Sequence, residues 1–297
     1  MKKRILFVHS GKALLPEMNA YNKYFSQYEF WDNIKNNISE DEYNQFDLLW
    51  FMMGTCQKKY KVPTIHEYAS LSTGSFPRLK NYVKKLVNSR PDLRIFLNRE
   101  VENGFSFSDN IPTCYRDMGV DEQFFKKSYN KEWDFVYVGS MDRSRSLTKP
   151  LEWFKANTDI TLLMIGQPSD DLYNQYKSCS NIVFTGIVDY SKVPELASTA
   201  RFGLNYIPYK YPFYLQTSTK LLEYAAMGLN IVTTDYPWVR MFEKKYKMKF
   251  YYINEFMNNL DKEKLYSFCF RTTDIKSLTW NNIIRGSGIY DKLNKMI

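Results

Sequence analysis

The chain has 297 residues, enough for two domains that each bury a core, so small disulfide-stapled scaffolds are excluded. Hydrophobic residues supply 44% and charged residues 25%, with only 12 glycines and 11 prolines, which excludes disordered, collagen-like and low-complexity chains. Forty-one Lys and Arg against 32 Asp and Glu leave a net charge of +9, a surface suited to phosphate groups, nucleic acid or an anionic leaflet.

The amino terminus, MKKRILFVHSGK, places an apolar run after basic residues but stops at His9, too short for a signal-peptide core. No stretch has the length of a membrane span. Cys56, Cys114, Cys179 and Cys269 have no paired spacing and read as free thiols of a reducing compartment. A cytoplasmic protein, peripheral at most on the inner face of the cell membrane, is expected.

Short apolar runs alternate with amphipathic stretches, the rhythm of parallel strands joined by helices. In the first half the strands fall at 5–9, 47–53, 64–68 and 93–98. The loop after the first strand, HSGKALLPE, carries His9, Ser10, Gly11 and Glu17, with Gly11 able to approach a ligand and Glu17 a candidate for an acceptor hydroxyl. The third strand lies in PTIHEYAS and sets His66 near the carboxyl edge of a sheet, where open α/β sheets bind ligands. In FPRLKNYVKKLVNSRP, Leu79, Tyr82, Val83 and Leu86 share one helical side, with Arg78, Lys80, Lys84 and Lys85 around it. That pattern predicts an amphipathic helix packed on the sheet, with a basic face toward an anionic membrane as its functional alternative.

Strand periodicity lapses over 119–132 and restarts with DFVYVGS, so the expected domains are 1–118 and 133–274 joined by a hinge. Second-half strands fall at 135–139, 161–166, 182–186, 202–206 and 230–234. Leu278, Trp280, Ile283 and Ile284 then recur at helical spacing within 275–297, a segment able to cross back to the first domain. Two doubly wound domains follow.

The segment QTSTKLLEYAAMGLNIVTTDYPWVR is the most informative. Thr217 and Ser218 are good N-caps, Leu221, Leu222 and Ala225 form an apolar stripe, Gly228 ends the helix, and 230–234 is a buried strand. Free N–H groups at such a helix start favour phosphate by roughly 0.3 to 2 kcal/mol, and Lys220 stands at the same end. Glu223 is placed to accept two hydrogen bonds from a ribose diol.

KLLEYAAMGLNIVTTDYPWVR resembles the donor-nucleotide segment of GT-B glycosyltransferases, particularly the bacterial family 4 type of surface polysaccharide synthesis. MGVDEQFF is similar to the hinge of that group, FVYVGSMDRSR to the first strand and glycine turn of its nucleotide domain, and LLMIG and NIVFTGIVDYSKVPELASTA to the next strands and helix. The resemblance implies two Rossmann-like domains facing each other across a cleft. It implies that Glu223 binds ribose and that Gly139, Thr217, Ser218, Thr219 and Lys220 line the diphosphate. Two positions depart from the pattern. Leu215 stands where the first Glu of E-x7-E belongs, with Gln216 beside it, and Ser140 replaces an Arg after the glycine turn, leaving Arg143, Arg145 and Lys149 to supply charge. Relatives carry a His like His66 that faces the donor sugar, which makes His66 and Glu17 the catalytic candidates and Ser10, Gly11 and Gln216 the sugar-side ones.

The function expected from this reading is transfer of a hexose from a nucleoside diphosphate sugar, UDP-sugar favoured, to a glycan or lipid-linked acceptor. No metal or cofactor and no nucleic acid is expected. A nucleotide-sugar epimerase on the same fold and a non-catalytic nucleotide-sugar or glycan binder are the alternatives.

Overall fold

A computed structural model describes residues 1–11, 15–52 and 56–297 of the chain. Two compact units form, one from Met1–Gly119 with Leu278–Ile297 and the other from Val120–Ser277.

In the first unit, strands β1 (Arg4–Val8), β2 (Glu29–Asp32), β3 (Leu48–Met52), β4 (Thr64–Tyr68), β5 (Leu93–Phe96) and β6 (Thr113–Tyr115) make a sheet of order β2-β1-β3-β4-β5-β6. Every neighbouring pair is parallel. Parallel strands covered on both faces read as continuous apolar runs, and β3, LLWFM, is buried along its whole length. Helices α1 (Pro16–Tyr24), α2 (Pro77–Val87) and α3 (Arg99–Phe105) connect these strands.

The second unit holds β7 (Trp133–Val138), β8 (Leu162–Ile165), β9 (Ile182–Gly186), β10 (Ala200–Asn205), β11 (Asn230–Thr234) and β12 (Tyr251–Ile253), again all parallel, in the order β12-β11-β10-β7-β8-β9. Its helices are α4 (Thr148–Ala156), α5 (Asp170–Tyr176), α6 (Val193–Ala197), α7 (Thr219–Ala226), α8 (Pro237–Lys245) and α9 (Lys262–Ser267). The last two, α10 (Trp280–Gly286) and α11 (Ile289–Met296), belong to the first unit, where Trp280, Ile284, Ile289 and Leu293 join the core of Ile5, Phe7, Tyr21 and Trp50.

Three strands escape the periodicity reading, β2, β6 and β12, and each is a sheet edge. They have three or four residues and are paired on one side only, so the apolar signal that marks a central strand is weak in them. Residues after Gly119 group with the second unit. There a 3-10 turn at Glu122–Phe125 buries Phe124, whose ring centroid lies 5.2 Å from that of Tyr190.

Helix α2 reverses the expected packing onto the sheet: Asn81 is fully buried while Leu79, Tyr82, Val83 and Leu86 face solvent. Glu17, expected on an exposed loop, lies in α1 and is buried. Pro16 starts that helix, and Glu17 beside it meets Arg116 just beyond β6. The Arg116 guanidinium, wholly enclosed, donates to Glu67 on β4, to Glu17 at 3.3 Å and through Nε to the Tyr21 hydroxyl at 3.1 Å. Trp50 Nε1 donates to Glu67 at 2.8 Å. Burial raises the pKa of Glu17, against the lowering pull of Arg116 and with a further rise from Glu67.

Removing the single cation from this cluster leaves two buried carboxylates facing each other. Arg116→Met is therefore expected to cost about 3–5 kcal/mol of stability. Urea denaturation checks it, and an unchanged midpoint would show that the carboxylates do not depend on Arg116.

Candidate functional site

In the second unit the strand order reverses direction between β7 and β10, the switch point at whose carboxyl end doubly wound sheets bind ligands. Residues from three segments meet there.

The first is α7. Ser218 caps it, its hydroxyl accepting from Leu221 N at 3.4 Å and donating to Asn205 Oδ1 at 2.7 Å. Asn205, fully buried at the end of β10, in turn donates to Thr233 Oγ1 at 2.8 Å and to the Tyr236 hydroxyl at 3.0 Å. This chain of buried polar groups holds the helix start against the strand end. Further along the helix, the Tyr224 hydroxyl accepts from Val138 N at 2.8 Å and donates to Val136 O at 3.3 Å, tying α7 to β7 as well. The Tyr224 ring occupies the space a side chain at Gly203 would need, since a Cβ there would come within 2.5 Å of it. At the far end, Gly228 and Leu229 donate back to Ala225 O and Tyr224 O, which closes the helix.

The second segment is the turn after β7. Gly139 adopts a φ of +123°, outside the range of side-chain-bearing residues, and lets the chain turn into Ser140 and Asp142. Asp142 accepts from Ser144 N at 2.8 Å and so shapes the 3-10 turn Arg143–Arg145. The Arg145 guanidinium lies 4.7 Å above the Phe213 ring, and its Nε is buried without a hydrogen-bond partner among the described residues. The Arg143 side chain lies outside the described residues.

The third segment is the 3-10 turn Phe213–Leu215 that leads into α7. Leu215 is part of that turn, and the side-chain nitrogen of Gln216 is buried without a partner.

Between these segments stand two ionisable groups of α7. Lys220 Nζ lies 3.9 Å over the Tyr137 ring, and the side chain is half-buried. Desolvation holds its pKa well below the usual lysine value, and the Arg145 charge lowers it further against the opposing pull of Glu223 and Asp142. Among the described residues neither Lys220 nor Arg145 makes an ion pair. Glu223, 5% exposed, accepts from the Tyr190 hydroxyl at 3.0 Å. Burial pushes its pKa up to about 7, with the Tyr190 bond and Lys220 pulling the other way.

Gly139, Arg145, Gln216, Ser218, Lys220 and Glu223 thus gather at one strand edge. Thr219 opens α7 half-exposed, and Thr217 makes polar interactions of its own. Lys149 pairs with Glu255 and lies 4.7 Å over Phe256, so its charge is already met. Tyr137, Tyr190, Phe213 and Asn205 were not singled out by sequence, because uncharged residues carry no local mark of what they will face.

In the first unit, His66 occupies the middle of β4 rather than its end. It is 3% exposed, packs edge-on against Phe51 at 5.5 Å, and has Tyr68 Oη 3.5 Å from Nδ1, while Nε2 lacks a partner. Burial lowers its pKa to about 4, with Arg94 adding to the shift, so the ring is neutral at pH 7. His9 Nδ1 accepts from Gly11 N at 3.1 Å and its Nε2 contacts Asp32 at 3.0 Å, which shapes the turn that exposes Ser10 and Gly11. The rest of that loop, 12–14, lies outside the described residues. Among the described residues no group of three or more His, Cys, Asp and Glu is placed to hold a metal ion.

No known sequence family matches the chain, and no curated protein matches it. Solved structures do. HepE of Anabaena in complex with UDP-glucose aligns with a TM-score of 0.72 at 12% identity, over 99% of this chain and 100% of that one. AviGT4, a glycosyltransferase involved in avilamycin A biosynthesis, aligns with a TM-score of 0.61 at 11% identity, over 99% and 97%. A T4 phage BGT mutant in complex with UDP-glucose aligns with a TM-score of 0.55 at 15% identity, over 100% and 99%. Likeness at these identities establishes the fold, and that fold is GT-B.

The raised pKa of Glu223 makes stability depend on pH. The native state holds the proton up to about pH 7 while the unfolded chain releases it near 4.5, so stability falls as pH rises between those values, by about 3 kcal/mol in all. Glu223→Gln, which cannot ionise, should gain on the wild type between pH 5 and pH 8 in parallel denaturation curves. An equal difference at both pH values would mean that Glu223 titrates normally.

Proposed function

We propose that the protein is a glycosyltransferase that moves a hexose from UDP-sugar to a glycan or lipid-linked acceptor of a bacterial surface polysaccharide. The observation that carries this reading is Lys220 and Arg145, two basic groups that make no ion pair among the described residues, set beside a buried carboxylate at a switch point. The neighbours HepE and BGT were solved with UDP-glucose, which supports the same ligand class here.

In this reading the diphosphate lies over Gly139 and the start of α7, where Lys220, Arg145 and the free helix N–H groups neutralise it. Gln216 offers its nitrogen to the sugar side. Ionised Glu223 accepts the two ribose hydroxyls, one of its oxygens remaining bonded to Tyr190. The anomeric C1–O bond to the β-phosphate breaks with its electrons going to the diphosphate, the acceptor oxygen bonds to C1, and the acceptor hydroxyl proton passes to the departing diphosphate oxygen. Arg145, together with Lys220 whose protonation the incoming diphosphate favours, stabilises the oxygen that leaves with UDP, so cationic side chains take the role a metal holds elsewhere.

His66 contributes packing in this reading rather than contact with the sugar. His66→Ala should lower stability by roughly 2–4 kcal/mol, as large-to-small core changes do, and leave UDP-sugar affinity unchanged. Thermal melts and calorimetry on one preparation separate the two effects.

UDP affinity tests the site directly. Glu223→Ala should weaken UDP binding tenfold or more through the loss of charge-assisted hydrogen bonds. Because only the ionised carboxylate accepts both hydroxyls, wild-type affinity should tighten about tenfold from pH 6 to pH 8, in step with the ionised fraction. Glu223→Gln should lose that dependence and keep only the part due to the phosphate. A wild type and a Glu223→Gln variant with the same pH profile would remove Glu223 from the site. Transfer then needs an acceptor, whereas an epimerase would alter free UDP-sugar alone.

A further inference from the structure

Helix α2 is built inside out. Asn81, buried completely, faces the body of the unit and accepts from Ser72 N at 2.9 Å. At about 100° per residue Lys84, Lys85 and Asn88 share its side of the helix. Lys85 donates to Ser106 O, and Asn88 accepts from Cys56 N at 2.9 Å and donates to the Tyr68 hydroxyl at 3.1 Å. The polar face therefore anchors the helix. The opposite face carries Leu79, Tyr82, Val83 and Leu86 at i, i+3, i+4 and i+7, with exposures of 58%, 57%, 45% and 63%, and Phe76 at the helix start is 77% exposed. A contiguous apolar ridge of this kind marks an interaction surface rather than scattered surface residues.

The charges around the ridge select its partner. Between residues 72 and 91 the chain carries Arg78, Lys80, Lys84, Lys85 and Arg90 and no acidic residue. Arg78 and Lys80, both exposed, stand on opposite flanks of the ridge. A second copy of this chain docked by the same face would set the same cations against each other. An anionic bilayer offers what both features need, hydrocarbon for Leu79, Val83 and Leu86 and phosphate for the flanking cations, with the aromatic rings of Phe76 and Tyr82 at the headgroup level. We propose that α2 docks the protein on an anionic membrane surface, lying in the plane of the leaflet with the 79–82–83–86 ridge inserted. Among the described residues no helix is long and apolar enough to cross a membrane.

Co-sedimentation of the full chain with vesicles tests the proposal without any nucleotide, so its outcome is independent of the UDP site. Vesicles of phosphatidylglycerol and phosphatidylcholine in equal parts should bind the protein, and vesicles of phosphatidylcholine alone should bind it at least tenfold more weakly. The double variant Leu79→Ser, Leu86→Ser should reduce binding to the anionic vesicles at least tenfold at an unchanged melting temperature, because both side chains already face solvent. Arg78→Ser with Lys80→Ser should weaken binding and flatten its salt dependence. Equal binding to both vesicle types, no binding to either, or full binding by the Leu79, Leu86 variant would each overturn the proposal. So would sedimentation of the free protein as a dimer that the same variant dissociates, since the ridge would then belong to a second copy.

Discussion

Charge taken out of water has to be met by a partner, and the two units meet that requirement in opposite ways. In the first, Arg116 is closed off by Glu17, Glu67 and Tyr21, with Trp50 completing the hydrogen bonds of Glu67. That set is met within the chain and ties α1 and the segment just after β6 to β4. In the second, Lys220 and Arg145 lie against aromatic rings instead of carboxylates, and desolvation dominates the pKa of both Lys220 and its neighbour Glu223. An anion arriving there gains the interaction that the protein itself withholds.

The groups around the start of α7 are held in place by buried hydrogen bonds. Ser218, Asn205, Thr233 and Tyr236 form a buried hydrogen-bonded chain under the start of α7, while Tyr224 fastens the middle of that helix to the backbone of β7. The unsatisfied nitrogens of Arg145 and Gln216 sit on short 3-10 turns beside this frame. Fixed donors aimed at a site need no reorganisation when charge develops, which is the physical basis of the transfer chemistry proposed above.

Helix α2 applies the same reasoning to apolar surface. Its polar side is satisfied by backbone and side-chain partners within the unit, so turning the helix over would strand those partners. The apolar ridge remains outside because the inner contacts are polar.

The sequence by itself determined two doubly wound α/β units and most of the central strands, because buried parallel strands are written as unbroken apolar runs and helix starts as capping residues, while the GT-B arrangement was implied by the resemblance of the donor-nucleotide segment and established by likeness to solved structures. It also pointed to Gly139, Lys220 and Glu223, whose residue types at a glycine turn and a helix start carry a local signature. Only the tertiary structure decided which charges keep a partner: Lys149 is taken by Glu255 across 106 residues, Glu17 by Arg116 across 99, while Arg145 and Lys220 are left to Phe213 and Tyr137. It decided as well that His66 lies inside its sheet, that β2, β6 and β12 add the edges, and that the apolar side of α2 faces out. Each of these turns on neighbours supplied by distant parts of the chain, and a local pattern, which records how often a residue type recurs, holds no information about what will stand opposite it.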